Sequence, residues 1–163
     1  MTRTMLVKEL ESFCRDCTKK LKLPTVVSKG DTKQEIRAPN IHRMRLPDSH
    51  SYEKEVPYII VQLDNSRHVQ KAGTEPFNTA TVRFIFAVWN DNEQEGAEML
   101  LNLMDTVEIE LLKKVKIGKY FQLNVHEPLD SIIYPDDTAP FFAGEMVGTF
   151  IFPSIKREVD FGY

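Results

Sequence analysis

The sequence predicts an α+β fold, a mainly antiparallel sheet of about four to five strands with two helices packed against it. Three observations indicate this class. Residues 78–90 alternate between two kinds of position with the period of a strand, and a long helical pattern follows directly. Residues 4–22 show a second amphipathic helical pattern. The other apolar runs are short and lie between turn residues, as is typical of strands.

The first predicted helix spans residues 4–22. Thr2 or Thr4 can cap its first turn, and Pro24 ends it. Its apolar residues recur at helical spacing, whereas its charged residues lie on other faces. The apolar set is Leu6, Leu10, Phe13, Cys17 and Leu21. A short β-prone piece at residues 25–28 follows this helix.

Residues 29–55 are polar, contain Pro39 and Pro47, and predict a long extended loop. The part up to Arg45 is locally basic. Three interpretations of this basic stretch stay open: a solvated mobile loop, a segment that touches phosphates, and a segment that reaches a neighbouring subunit and becomes ordered on assembly. The basic residues are Lys29, Lys33, Arg37, Arg43 and Arg45, against the acids Asp31 and Glu35.

The central strand is predicted at residues 78–90, paired with a strand at residues 56–63 across a turn at 64–66 and a loop at 68–77. One of its faces is wholly apolar, and the other is mixed. The first should lie against the helices, while the second should be partly wetted or covered by a partner. The apolar face holds Val82, Phe84, Phe86 and Val88; the mixed face holds Thr81, Arg83, Ile85, Ala87 and Trp89.

The second helix has predicted signals at both ends. Asn92 and Glu95 form a capping-box pattern at its start, and Gly118 is a candidate left-handed residue after its end. Several apolar residues fall off its main stripe and suggest contact with another element or subunit, namely Met99, Leu103, Ile109 and Leu112. Strands at 120–125 and 141–152, a turn-rich connection at 128–140 and a C-terminal arm at 154–163 complete one predicted domain, 1–163.

Composition and motifs argue against several classes of function. The net charge of −3 is unlike that of a dedicated nucleic-acid binder. We find no signal-peptide pattern and no apolar stretch long enough for a membrane span. Cys14 and Cys17 lie inside a predicted helix, the four histidines are scattered, and Asp136-Asp137 suits a solvated turn. The sequence therefore predicts no catalytic, metal-binding or cofactor-binding residues, and no enzyme.

Two stretches, AVWNDNEQEGAEMLLNLMDTVEIELLKK and FFAGEMVGTFIFPSIKRE, follow one another with a short strand and a proline- and acid-containing connector between them. This layout resembles tail proteins of Gram-positive phages and prophages, in the tail terminator (tail-completion) group. The N-terminal helix, the long loop and the paired strands match too. The residues that support the resemblance are Asp91, Gly96, Leu100, Pro135, Gly144 and Pro153.

The resemblance implies an α+β subunit that forms a ring, typically a hexamer, at the head-proximal end of the tail tube. Its partners would be further copies of itself, the tail tube protein and a head-completion or connector protein. DNA would be only passing cargo, and no membrane would be involved. The protein would reside in the virion tail after assembly in the cytoplasm of the bacterial host.

A ring needs heterologous contacts, in which one surface of a subunit meets a different surface of the next. Our candidate interface residues are Trp89, Ile85, Arg37, Arg43, Arg45, Phe161 and Tyr163. Two alternatives stay open. One is a head–tail connector or neck protein; the other is a nucleic-acid-binding α+β module that uses Arg37, Arg43 and Arg45.

Overall fold

The computed structural model describes residues 2–27, 34–47, 55–135 and 138–159. Two long helices lie within these residues, α1 (Arg3–Thr18) and α2 (Glu93–Lys114). The strands are β1 (Leu23–Pro24), β2 (Ile36–Arg37), β3 (Asn40–Arg43), β4 (Tyr58–Val69), β5 (Phe77–Trp89), β6 (Lys116–Ile117), β7 (Phe121–Leu123), β8 (Asp130–Ile133) and β9 (Phe141–Phe152). The α+β class is confirmed.

The main sheet has seven strands in the order β3-β4-β5-β9-β7-β6, with β8 also paired to β9. The prediction of four to five strands is therefore wrong. The unforeseen strands β3, β6 and β8 are two to four residues long, so they show little period-2 alternation. All pairs in this sheet are antiparallel except β3 with β4. β1 and β2 form a separate two-stranded sheet.

The β4–β5 hairpin is longer than predicted. The pairing shifts by one residue between Leu63 and Asn65 and then continues to Val69, through the residues predicted to turn. A bulge interrupts the alternation of side chains, which explains why the sequence pattern there resembled a turn. The chain reverses instead at residues 70–76, where Gly73 has a φ of +73°. Gln70, in this reversal, donates its Nε2–H to the carbonyl of Ile155 at 3.1 Å. Ile155 belongs to the C-terminal arm that follows β9, so the arm contacts the hairpin.

The predicted apolar face of the central strand is confirmed. Its four residues have no exposed surface and pack with residues of α1, α2 and β9 in one core. Burial of such side chains supplies roughly 1.5–3 kcal/mol each, so this face contributes substantially to stability. The Phe84 and Phe150 rings meet edge to face with centroids 6.2 Å apart.

The predicted cap of α2 by Asn92 is confirmed, but the other half of the capping box is wrong, because the Asn92 amide donates to Asn90 Oδ1 at 2.9 Å in place of Glu95. The predicted end of α2 is also wrong. The Asn92 side chain accepts hydrogen bonds from the amides of Gln94 and Glu95, both at 3.1 Å. At the other end Val115, with a φ of +59°, takes the cap position, and Gly118 lies in the β6–β7 turn. α1 is capped by Thr2 as predicted but ends at Thr18, four residues early.

Candidate functional site

The two faces of the sheet differ in what covers them. α1 and α2 contact each other and both pack on the face that carries Phe84 and Phe86. The opposite face carries the other parity of β4, β5 and β9, and neither α1 nor α2 packs on it. We call it the helix-free face; it includes Ile60, Arg83, Ile85, Ala87, Trp89, Glu145 and Val147. Ile60 and Ala87 on this face are only 8% and 6% exposed, so neighbouring residues cover part of its apolar surface within the subunit.

A chain of polar groups crosses the helix-free face. Arg83 Nε lies 3.3 Å from Glu145 Oε2, and Arg83 Nη2 lies 3.9 Å from Asp64 Oδ1. Tyr134, just after β8, donates its hydroxyl to the same Glu145 oxygen at 3.1 Å. Burial and then the bond to Glu145 raise the pKa of Tyr134. The Arg83 Nε–H is buried but makes no hydrogen bond of good geometry, so the ion pair with Glu145 is loosely aligned.

Two predicted interface residues, Ile85 and Trp89, lie on the helix-free face. Both are partly buried, and Trp89 is paired with Phe141 at the end of β9. Next to β9, strand β8 leaves Ile132 and Ile133 exposed, by 55% and 42%. Ile132 pairs with Glu145 and so lies on the helix-free face, whereas Ile133 pairs with Gly144 and lies on the helix side. The helix-free face therefore carries more apolar side chains, among them Ile85, Trp89 and Ile132, than a sheet face in contact with water needs.

The three predicted arginines are not brought together in one basic patch. Arg37 donates to four backbone carbonyls, those of Ala38, Pro57, Glu55 and Val56, at 3.0–3.2 Å. Burial lowers the pKa of its guanidinium. Arg43 Nε forms an ion pair with Glu11 Oε2 of α1 at 2.7 Å. Arg45 is exposed.

Arg37 and Arg43 thus hold the region around β3 to the body of the protein. The other two predicted interface residues, Phe161 and Tyr163, lie outside the described residues, as do Asp136 and Asp137.

Sequence reasoning missed a small polar cluster at the start of β4. Glu55 Oε2 lies 3.1 Å from Asn40 Nδ2 and 3.2 Å from His42 Nε2. The parallel pairing of β3 with β4 creates it, because it places residues 40 and 42 beside residues 58 and 60. No sequence signal could have shown this, since β3 lay in a predicted loop. In the part of the chain that the structure describes, no three His, Cys, Asp or Glu residues converge as a metal site.

The two cysteines lie where the sequence placed them, within α1. Cys14 is fully buried, and Cys17 is partly buried. Burial raises the pKa of Cys17 to about 11 and that of Cys14 well above its ordinary value. A thiol with a raised pKa is a poor nucleophile and a poor metal ligand.

Comparison with protein-family models and with curated proteins finds no match to this sequence. Among the residues that the structure describes, no helix is long and apolar enough to cross a membrane.

We predict that Arg37→Ala lowers the free energy of unfolding by about 1–3 kcal/mol, because carbonyls that accept from Arg37 lose a charged donor. Urea denaturation measures the change. Arg45→Ala is the matched control and should shift the value by less than about 0.5 kcal/mol, since Arg45 is exposed. Equal effects of the two substitutions would contradict the structural role of Arg37.

We also predict that Cys14 and Cys17 react slowly with a thiol reagent at pH 8 in the folded protein. With a pKa of about 11, roughly one Cys17 side chain in a thousand is a thiolate at that pH. In concentrated urea both thiols should react fully within minutes. A fast reaction of the folded protein, or a Cys14–Cys17 disulfide after purification, would show that α1 holds a redox site after all.

Proposed function

We propose that the protein is a structural component of a phage or prophage tail, a tail terminator that forms a ring of six copies. The ring would cap the tail tube and join it to the head-completion protein. It would act in the virion tail without catalysis or cofactor, with DNA as passing cargo. The observation that carries this proposal is the helix-free face, which holds the partly buried Ile85 and Trp89 and, in register with Ile85 and Glu145, the exposed Ile132 of β8.

Apolar side chains that face water raise the free energy of a subunit until they are covered. A sheet with helices on one side can present its other face to solvent when that face is polar. Here Ile85, Val147 and Trp89 share the face with a loosely aligned ion pair between Arg83 and Glu145. A subunit that buries this face in an assembly gains from covering these groups, and tryptophan is an efficient anchor for such a contact.

The α+β layout of the chain also supports the proposal. The predicted central strand, the capped helix after it and the final strand are all present, in the order that the resemblance to tail terminators uses. The nucleic-acid alternative receives less support, because Arg37 and Arg43 are engaged within the protein. Their guanidinium groups would have to leave these partners before they could neutralise phosphates.

Deletion of the gene from an inducible phage or prophage tests the proposal. A terminator stops the growth of the tail tube, so the deletion should give overlong tails in electron micrographs, and a plasmid copy should restore the normal length. Tails of normal length that fail to join heads would instead indicate a connector protein. Normal infectious particles would contradict both roles.

A further inference from the structure

An apolar groove lies on the helix side of the molecule, where the start of α1 meets the end of β3. Val7 and Leu63 form its floor, and the exposed Met44 forms one wall. Arg3, Thr4 and Arg43 complete the lining. With a volume of 370 Å³, the groove is near the lower end of the roughly 300–1,000 Å³ of typical ligand pockets. It has room for a few side chains. We call it the α1 groove.

Met44 has two uncommon features at the edge of the α1 groove. Met44 adopts a φ of +67°, which is uncommon for a residue with a side chain, and its amide donates to the carbonyl of Val61 at 2.8 Å. The exposed methionine side chain is 44% accessible, and methionine adapts readily to different apolar partners.

The rim of the groove carries a net positive charge. Of the two arginines in its lining, Arg43 is paired with Glu11 Oε2 at 2.7 Å, whereas Arg3 donates to the neutral Ser66 hydroxyl at 3.5 Å, so Arg3 supplies the net charge. An apolar partner with acidic neighbours would therefore fit this groove.

α2 offers such a surface on its outer side. Leu101, Ile109 and Leu112 all lie within α2, and they are 48%, 48% and 55% exposed. Asp105 and Glu108 lie between them on the same side, because residues 101, 105, 108, 109 and 112 fall within about 100° around a helix. We call these five residues the α2 stripe. It is apolar and acidic, whereas the α1 groove is apolar and basic.

We propose that the α2 stripe of one subunit docks in the α1 groove of a second copy of the same chain. Contact of two α2 stripes would bring acids together, and contact of two α1 grooves would bring arginines together, so the symmetric arrangements are unfavourable. The mixed contact pairs opposite charges and covers apolar side chains on both partners. It is a heterologous contact, the kind that closes into a ring when the rotation between subunits permits.

This inference rests on the proposed ring and adds a named contact to it. The contact lies on the helix side of the sheet, so it is distinct from any contact through the helix-free face. It also assigns roles to residues that the fold leaves exposed at a cost in water, above all Leu112 and Met44.

A charge-swap experiment tests the contact. One variant carries Arg3→Glu, and the other carries Asp105→Lys with Glu108→Lys. Each variant alone should self-associate at least tenfold more weakly than the wild type in sedimentation velocity, because its groove and stripe then repel. An equimolar mixture should recover assembly, since subunits that alternate around an even-numbered ring again pair opposite charges. Lys20→Glu, two residues beyond the end of α1, is the charge-matched control for Arg3→Glu and should assemble normally. Circular dichroism confirms that every variant is folded.

The outcomes separate this contact from the ring itself. Wild-type rings whose assembly is unchanged in both variants would overturn the groove contact and leave the ring proposal standing. Variants that stay weak when mixed would overturn the contact too. A wild type that is monomeric at every concentration would overturn both proposals. If such a monomer binds purified tail tubes and the Arg3→Glu variant does not, the groove would be assigned to the tube protein.

Discussion

The rest of the structure depends on the one-sided burial of the central strand β5. The strand pairs along nearly its whole length with β4 on one edge and β9 on the other. Its four fully buried residues hold both helices on a single side of the sheet. Because successive side chains of a strand point to opposite faces, Arg83, Ile85 and Trp89 lie on the side without helices. Every candidate contact on the helix-free face follows from this alternation.

The central part of the fold could be predicted because its signals are local. Asn92 caps α2 through amides two and three residues away, and the alternation in β5 needs only the strand itself. The edges of the sheet could not be predicted in the same way. β3 joins through parallel pairing with β4, a contact across the chain from a segment that looks like a loop, and β8 is exposed along its whole length. Short strands of this kind depend on the neighbour that receives them.

The candidate site shows the same division between local and distant signals. The sequence identified Ile85 and Trp89 because their side of β5 is fixed by the alternation in that strand. It grouped Arg37, Arg43 and Arg45 by their closeness along the chain, and the structure separates them. Arg37 turns to the carbonyls around Val56 and Arg43 to Glu11. Those partners are fixed by tertiary packing, so composition alone overstated the basic character of this region.

Trp89 is the only tryptophan in the chain, so its fluorescence reports directly on the helix-free face. The most direct measurement is acrylamide quenching of that fluorescence across a range of protein concentrations, paired with sedimentation velocity on the same samples. If assembly covers this face, the quenching constant should fall several-fold over the concentrations at which rings form. Rings that form while quenching stays at its dilute value would contradict the account.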